Sequence, residues 1–172
     1  MVSDGVYRIR QALPTDISPL ASLHVKTFKE THGGWNPPTI ELRTSQWRKS
    51  FDVTDGSWFC FVIEGPAGEL IGFAKGTLHD GGVPGFVGEL NKIYIFRKYQ
   101  RMGLGRRIVG QVARRFLAQG ISSMLLFGDA RSRANQFYEA LGAEKLFSPE
   151  GEFHGGYGWQ DLNRLVKICP DG

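Results

Sequence analysis

Gln100, Gly103 and Gly105 stand as Q-x-x-G-x-G directly ahead of a helical pattern. Glycines let a backbone turn tightly and approach a ligand closely. The first turn of the helix behind them offers free N–H groups and the positive end of the helix dipole. Together these form a seat for a phosphate or pyrophosphate. Between Leu90 and Gly128 there is no Asp or Glu, yet Lys92, Arg97, Lys98, Arg101, Arg106, Arg107, Arg114 and Arg115 all fall there. An anion at this turn is the chemistry the stretch suggests. The same residues also describe a tight strand-to-helix connection with a solvated basic face. A Walker A loop, G-x-x-x-x-G-K-[ST], is absent. A dinucleotide fingerprint, G-x-G-x-x-G after the first strand, fails because position 108 is Ile108 and the turn lies past the middle of the chain.

The elements that hold this turn are legible from periodicity. Gly85 to Ile95 reads as a strand that leads into it. Ile108, Val109, Val112, Ala113, Phe116 and Leu117 repeat at helical spacing, with Arg106, Arg107, Arg114 and Arg115 on the other side and Gly120 as a stop. Upstream, Val6 to Ala12 alternates as a strand. Pro14-Thr15-Asp16 or Ser18-Pro19 opens a helix to about Thr31, whose apolar face holds Ile17, Leu20, Ala21, His24 and Phe28. THGGWNPP is a loop, and Thr39 to Phe51 a second helix. Ser57 to Glu64 and Glu69 to Leu78 form a hairpin about Gly65–Gly68. Downstream, Ser122 to Phe127 is a short strand and Arg131 to Leu141 a helix closed by Gly142. Ala143 to Phe147 extends again, SPEGEFHGG is a loop, and Tyr157 to Asp161 is a last strand. Antiparallel elements early and strand–helix–strand late predict a mixed α/β sheet.

The chain has 172 residues and a formal net charge of +4, and the acid-free stretch supplies more than all of it. That predicts one domain over 1–172 with a local anion site, not a general polyanion-binding surface. Nucleic-acid binding is the rival, without a helix-turn-helix, zinc-finger or RNP signature to support it. Cys60 lies in an apolar run and Cys169 near the end, so neither a disulfide framework nor a metal site is expected, and the four histidines lack ligand spacing. His24 is expected to be a satisfied core histidine. The first residues show no apolar signal region and no run approaches membrane-spanning length, which predicts a cytoplasmic protein without a membrane partner.

Gln100 to Gly105, Q-R-M-G-L-G, resembles the Q/R-x-x-G-x-G/A signature of the GNAT superfamily of acyl-CoA-dependent N-acetyltransferases. ELNKIYI before it is similar to that family's fourth strand, and RANQFYEALGAEKL (Arg133 to Leu146) to its second hallmark segment. The resemblance implies a single domain built on a mixed, mostly antiparallel sheet of about seven strands flanked by about four helices. It implies acetyl-CoA as co-substrate, a small-molecule or peptide amine as acceptor, and direct transfer in a ternary complex. It also allows for a homodimer. A non-catalytic acyl-CoA-binding sensor is the alternative within the same fold.

Such a transfer needs a base for the protonated amine, a donor for the developing oxyanion, and an acid for the leaving thiolate. Glu89 is the candidate base, placed on the cofactor strand with the same side-chain parity as Ile93. Tyr138, in Phe137-Tyr138-Glu139-Ala140-Leu141-Gly142, matches the family's thiolate-protonating tyrosine. The resemblance further implies that the backbones of Ile93, Tyr94 and Ile95 hold the pantetheine arm in a splay between the fourth and fifth strands. The amides of Gln100, Arg101, Met102, Gly103, Leu104, Gly105 and Arg106 would hold the pyrophosphate, and Arg97, Lys98 or Arg101 the ribose phosphate. Related proteins often carry Asn seven residues before the tyrosine, where this chain has Arg131. Asn135 is the candidate replacement, with Arg131 or Arg133 able to reach CoA phosphates. The acceptor would lie among Phe28, His32, Trp35, Trp47, Tyr94, His154, Tyr157 and Trp159, each of which also fits an ordinary core role.

Overall fold

The computed structural model describes residues 6–171; residues 1–5, part of the stretch read above for a signal region, and residue 172 lie outside them. Strand β1 (Arg8–Gln11) leads through a 3-10 turn over Pro14–Asp16 into helix α1 (Ile17–His32). Asp16 locks this entrance. It accepts the Leu13 N–H at 2.7 Å, and Arg10 grips both of its oxygens at 2.7 and 2.8 Å. That bidentate pair holds the Asp16 carboxyl below the usual carboxylate range. Ser18-Pro19 falls instead inside the first turn of α1, where proline's missing N–H costs nothing. Helix α2 (Ile40–Asp52) starts at Thr39, whose Oγ1 accepts the Leu42 N–H at 3.1 Å.

The hairpin of β2 (Trp58–Glu64) and β3 (Leu70–Leu78) precedes β4 (Gly88–Ile95) and helix α3 (Leu104–Ala118). Then come β5 (Met124–Leu126), α4 (Ala134–Ala140), β6 (Glu144–Phe147), β7 (Phe153–Trp159) and α5 (Leu162–Lys167). The seven strands form one sheet in the order β1-β2-β3-β4-β5-β7-β6, parallel only between β4 and β5. This is the mixed, mostly antiparallel sheet expected.

Toward its end the chain differs from the sequence reading, beginning with α4, which starts at Ala134 and not Arg131. The last strand starts at Phe153, not Tyr157, because it pairs with β6 in a hairpin that matches Phe147 to Phe153. Gly155 belongs in that strand: at φ 101° its missing Cβ would lie 2.6 Å from the backbone of Gly128. Asp161 does not end a strand; it caps α5, accepting the Asn163 N–H at 3.0 Å. Helix α5 makes five α-helices among the described residues rather than about four. It buries Leu162 and Leu165 against α3's side of the sheet, and one and a half turns are too few for periodicity to announce it.

The sheet separates two cores. On one face α3 buries Ile108, Val109, Val112 and Phe116 against Ala74, Leu90 and Met124. On the other, α1 and α2 cover Val62 and Phe73 with Leu20, Ala21 and Trp47. The site is set by two irregularities in β4. Its pairing with β5 covers only Gly88–Met124 and Glu89–Leu125, after which the strands part. Its pairing with β3 slips between Lys75–Lys92 and Gly76–Leu90, so Asn91 is the extra residue of a β-bulge.

Candidate active site

Where β4 and β5 part, β4 keeps its β3 partner and loses the other. Phe96 N–H donates to Ile71 O on the β3 side at 3.0 Å, whereas the Ile95 carbonyl points the other way and accepts Gln100 Nε2 at 2.9 Å. Alternation along an antiparallel ladder gives Ile93 the same direction as Ile95. Ile93 and Ile95 therefore present main-chain groups to the split, and Tyr94 turns its own toward β3.

The turn below the split is built as its glycines suggest. Gly103 sits at φ 80° and caps α3, and Arg101 is also left-handed at φ 61°. The first helical bond runs from Arg107 N–H to Gly103 O at 3.1 Å, so the N–H groups of Leu104, Gly105 and Arg106 have no intrahelical acceptor. Leu104 is buried while Arg101 and Met102 are exposed. Gly105 lies under α4: a Cβ there would stand 3.0 Å from Phe137 Cζ, so the turn and the Tyr138 helix are in direct contact.

The basic face of α3 is not a free phosphate surface. Arg106 donates to Ile168 O, Arg107 to Tyr7 O, and Arg114 to Val166, Cys169 and Pro170 carbonyls. Arg115 meets Gln11 and the Phe59 ring. Arg97 is tied to Glu30. These guanidiniums satisfy carbonyls at the end of α5, in the segment after it and just before β1, where residue types alone allow either an anion site or a solvated basic face. Arg101, Arg131 and Arg133 are exposed, and Lys98 lies over the Tyr99 ring.

Glu89 sits at the mouth of the split, with its side chain 17% exposed. The bulge at Asn91 overturns the parity expected from spacing. Leu90 and Ile93 share the α3-side core, so Glu89 projects from the opposite face, toward α1 and α2. There both of its oxygens are engaged. Asn91 Nδ2 donates to Oε2 at 2.8 Å, and His79 Nδ1 lies 3.3 Å from Oε1. Val83 N–H donates to His79 Nε2 at 2.9 Å, which leaves the ring proton on Nδ1, facing Glu89. His79 and Asn91 are partners that sequence reasoning missed. The hairpin register, with His79 N–H bonded to Val87 O, is what brings the histidine there.

Tyr138 lies on the α3 side, 8% exposed, against the rings of Phe137, Tyr157 and Trp159. Burial, with Tyr94 nearby, pushes its hydroxyl up to about 12. Asn135, one turn before it, is buried. Its Nδ2 donates to Asp129 O and Ala130 O at 3.0 and 3.1 Å, and its Oδ1 has no partner.

The acceptor candidates divide. Tyr157, Trp159 and Trp47 are buried core residues, with Trp159 Nε1 bonded to Leu141 O and Trp47 Nε1 to His24 Nδ1. The rings of Phe28 and His32 lie 4.5 Å apart at a tilt of 45° near the end of α1, Trp35 is 93% exposed in the loop that follows, and His154 is exposed beside Glu152. His24 is buried but only half satisfied, since Nε2 has no partner. Burial and the charges of Arg43, Lys92 and Lys75 lower its pKa to about 3. Their convergence on the α1/α2 face escaped sequence reasoning, because α2 carries Arg43 at an inward position that composition does not mark.

No set of three or more His, Cys, Asp or Glu able to hold a metal occurs among the described residues, and no described helix is long and apolar enough to cross a membrane.

A mixed sheet split at β4–β5 above an N–H-rich turn defines an acyltransferase class, and the family model described as the acetyltransferase (GNAT) family matches residues 20–143. The chain belongs to that family. Among curated proteins it is similar to YuaI of Bacillus subtilis, named an uncharacterized N-acetyltransferase. The two are 29% identical over 169 residues, covering 93% of this chain and 96% of that one. Among solved structures, an acetyltransferase of the GNAT family from Staphylococcus aureus Mu50 superposes with a TM-score of 0.73 at 12% identity, covering 91% and 99%. The PaiA N-acetyltransferase of Thermoplasma acidophilum, solved with coenzyme A, superposes with a TM-score of 0.66 at 15% identity, covering 89% and 98%. These last two likenesses speak to the fold.

Proposed function

We propose that the chain is an N-acetyltransferase that moves an acetyl group from acetyl-CoA directly to an amine, with Glu89 as general base and Tyr138 as general acid. The observation that carries this reading is the junction of the β4–β5 split with the turn at Gln100–Arg106 and with α4, which Gly105 and Phe137 bring into contact. The residues fit acetyl-CoA. Ile93 and Ile95 offer main-chain groups for an extended amide-bearing arm. The N–H groups of Leu104, Gly105 and Arg106 suit a pyrophosphate. Asn135 Oδ1 is a buried acceptor in need of a donor. Acetyl-CoA supplies the activated acyl group.

Glu89 takes the proton of the incoming ammonium, directly or through water. Asn91 and His79 hold its two oxygens in place. Tyr138 keeps its proton at neutral pH and gives it to the departing thiolate. Cys60 is buried with its thiol pushed well up by burial, which argues against an acyl-cysteine route. The nucleic-acid alternative is weakened because Arg106, Arg107 and Arg114 are engaged with carbonyls.

Thermal unfolding with acetyl-CoA, ATP or neither tests the reading. At a hundred times its dissociation constant a ligand adds about 2.7 kcal/mol. A rise in midpoint with acetyl-CoA that ATP does not reproduce, followed by CoA release on adding amines, is expected. A rise without turnover of any amine would indicate a sensor, and no rise would remove the central claim.

A further inference from the structure

The α1/α2 face of the sheet carries more buried and half-buried positive charge than its neighbours neutralise. Arg43 is 9% exposed and lies over the Phe28 ring, 5.4 Å from its centroid. Its Nη1 donates to Gln46 Oε1 at 2.9 Å. Nε is buried without an acceptor, and Nη2 meets none among the described residues. The Nε–Nη2 edge is the side-on fork that fits a carboxylate with two parallel bonds. His24 adds a second orphan. Trp47 Nε1 donates to its Nδ1 at 3.2 Å, so the ring proton is on Nε2, which is buried without an acceptor.

Lys75 and Lys92 are register partners on β3 and β4. Lys75 is held by Ser50 Oγ at 3.1 Å and lies over the rings of Trp47 and Trp58. Lys92 has no hydrogen bond or ion pair among the described residues. Burial, then Arg43 and Lys75, pull its ammonium below the usual lysine range, against which Glu89 is the acid that acts. Glu89 makes no ion pair with Lys92: each of its oxygens meets one partner, His79 or Asn91, and keeps a lone pair for an incoming amine. A buried Arg43 beside half-buried Lys75 and Lys92, with unpaired donors among them, is costly unless a counter-ion arrives.

We propose that the acceptor is a small amine that carries a carboxylate, with the carboxylate on the free edge of Arg43 and on Lys92 and the amino group directed at Glu89. This rests on the acetyltransferase reading of the same site. Lys92 and Glu89, three residues apart on β4, project from one face across the bulge and act on each other electrostatically, which suits an acceptor whose amino and carboxylate groups are near neighbours, as in a free amino acid. A polyamine would bring more positive charge to a face that already has too much.

The test is CoA release from acetyl-CoA with free amino acids, their carboxamides, the matching decarboxylated amines, and spermidine. At least one free amino acid should exceed its carboxamide in kcat/KM by about a hundredfold, the scale of losing one partner of a buried charge pair. In Arg43→Gln that ratio should collapse below about tenfold through a higher KM for the free acid, with Arg43→Lys intermediate because a point charge replaces the fork. The unliganded midpoint of Arg43→Gln should equal or exceed that of the parent. Carboxamides or spermidine turned over as well as the free acids would overturn the inference and leave the acetyltransferase reading standing. A lowered midpoint with the carboxylate preference intact would make Arg43 structural and also overturn it. No CoA release from any amine would remove both readings.

Discussion

Glu89 and Ile93, four residues apart on β4, project from opposite faces of the sheet. A regular strand would put them on the same face. The bulge at Asn91 inserts the residue that reverses parity, and it comes where β4 leaves β5. One irregularity thus hands the split to Ile93 and Ile95 while turning the carboxylate toward the α1/α2 face, the side opposite Tyr138.

Replacing Glu89 by Gln keeps its size and removes its basicity. The expected result is a fall in kcat of about 100-fold or more, the usual contribution of a positioned base. The midpoint rise with acetyl-CoA should be unchanged, since the carboxylate takes no part in holding the cofactor. A variant with parental turnover would exclude Glu89 as the base.

Tyr138→Phe should lower kcat by a similar order, with little effect on stability at pH 7. Alkaline stability gives a second readout. The folded hydroxyl titrates at about 12 and the unfolded one near ~10. The unfolded chain therefore releases its proton first, and stability falls as pH rises from about 10 to about 12, by roughly 2 to 3 kcal/mol. In Tyr138→Phe that part of the alkaline decline should be missing from urea midpoints measured between pH 9 and 12.

Much of this was legible in the sequence because the informative signals are local. The Q-x-x-G-x-G turn, the amphipathic α3 and the Phe137–Gly142 segment each need only neighbours in the chain to be recognised. What stayed hidden depends on partners far away. The parity of Glu89 hinges on one bulge, and bulges leave no reliable residue signature. His79 reaches Glu89 through hairpin register. The arginines of α3 look solvated until α5 supplies carbonyls some fifty to sixty residues downstream. Trp47 and Trp159 fit either a binding surface or the core by residue type alone, and packing put both in the core.

His24 predicts an acid-sensitive fold. Its folded pKa is about 3, below the ordinary 6.5, because burial and three cations disfavour a second proton. The unfolded chain binds that proton first as pH falls. The stabilisation is therefore complete above about 6.5 and is lost progressively toward pH 3, on the order of several kcal/mol. His24→Gln keeps an acceptor for Trp47 and removes the titration. Its urea midpoint should depend less on pH between 6.5 and 4 than that of the parent; equal slopes would show that other groups govern acid unfolding.

Gly105 and Gly103 separate two reasons for glycine in one turn. A methyl on Gly105 would meet Phe137 at 3.0 Å, whereas Gly103 has open space but sits at φ 80°. Gly105→Ala should push Phe137, and α4 with it, away from the turn. The acetyl-CoA midpoint rise should shrink, and Phe137→Leu in the same chain should restore it, because the smaller side chain yields the space. Gly103→Ala should instead cost about 1–2 kcal/mol of stability from left-handed backbone strain, and Phe137→Leu should not rescue it. A double-mutant cycle of each glycine with Phe137 measures the difference directly. Coupling is expected for Gly105 and none for Gly103, and additive effects at Gly105 would show that the turn and the Tyr138 helix act independently.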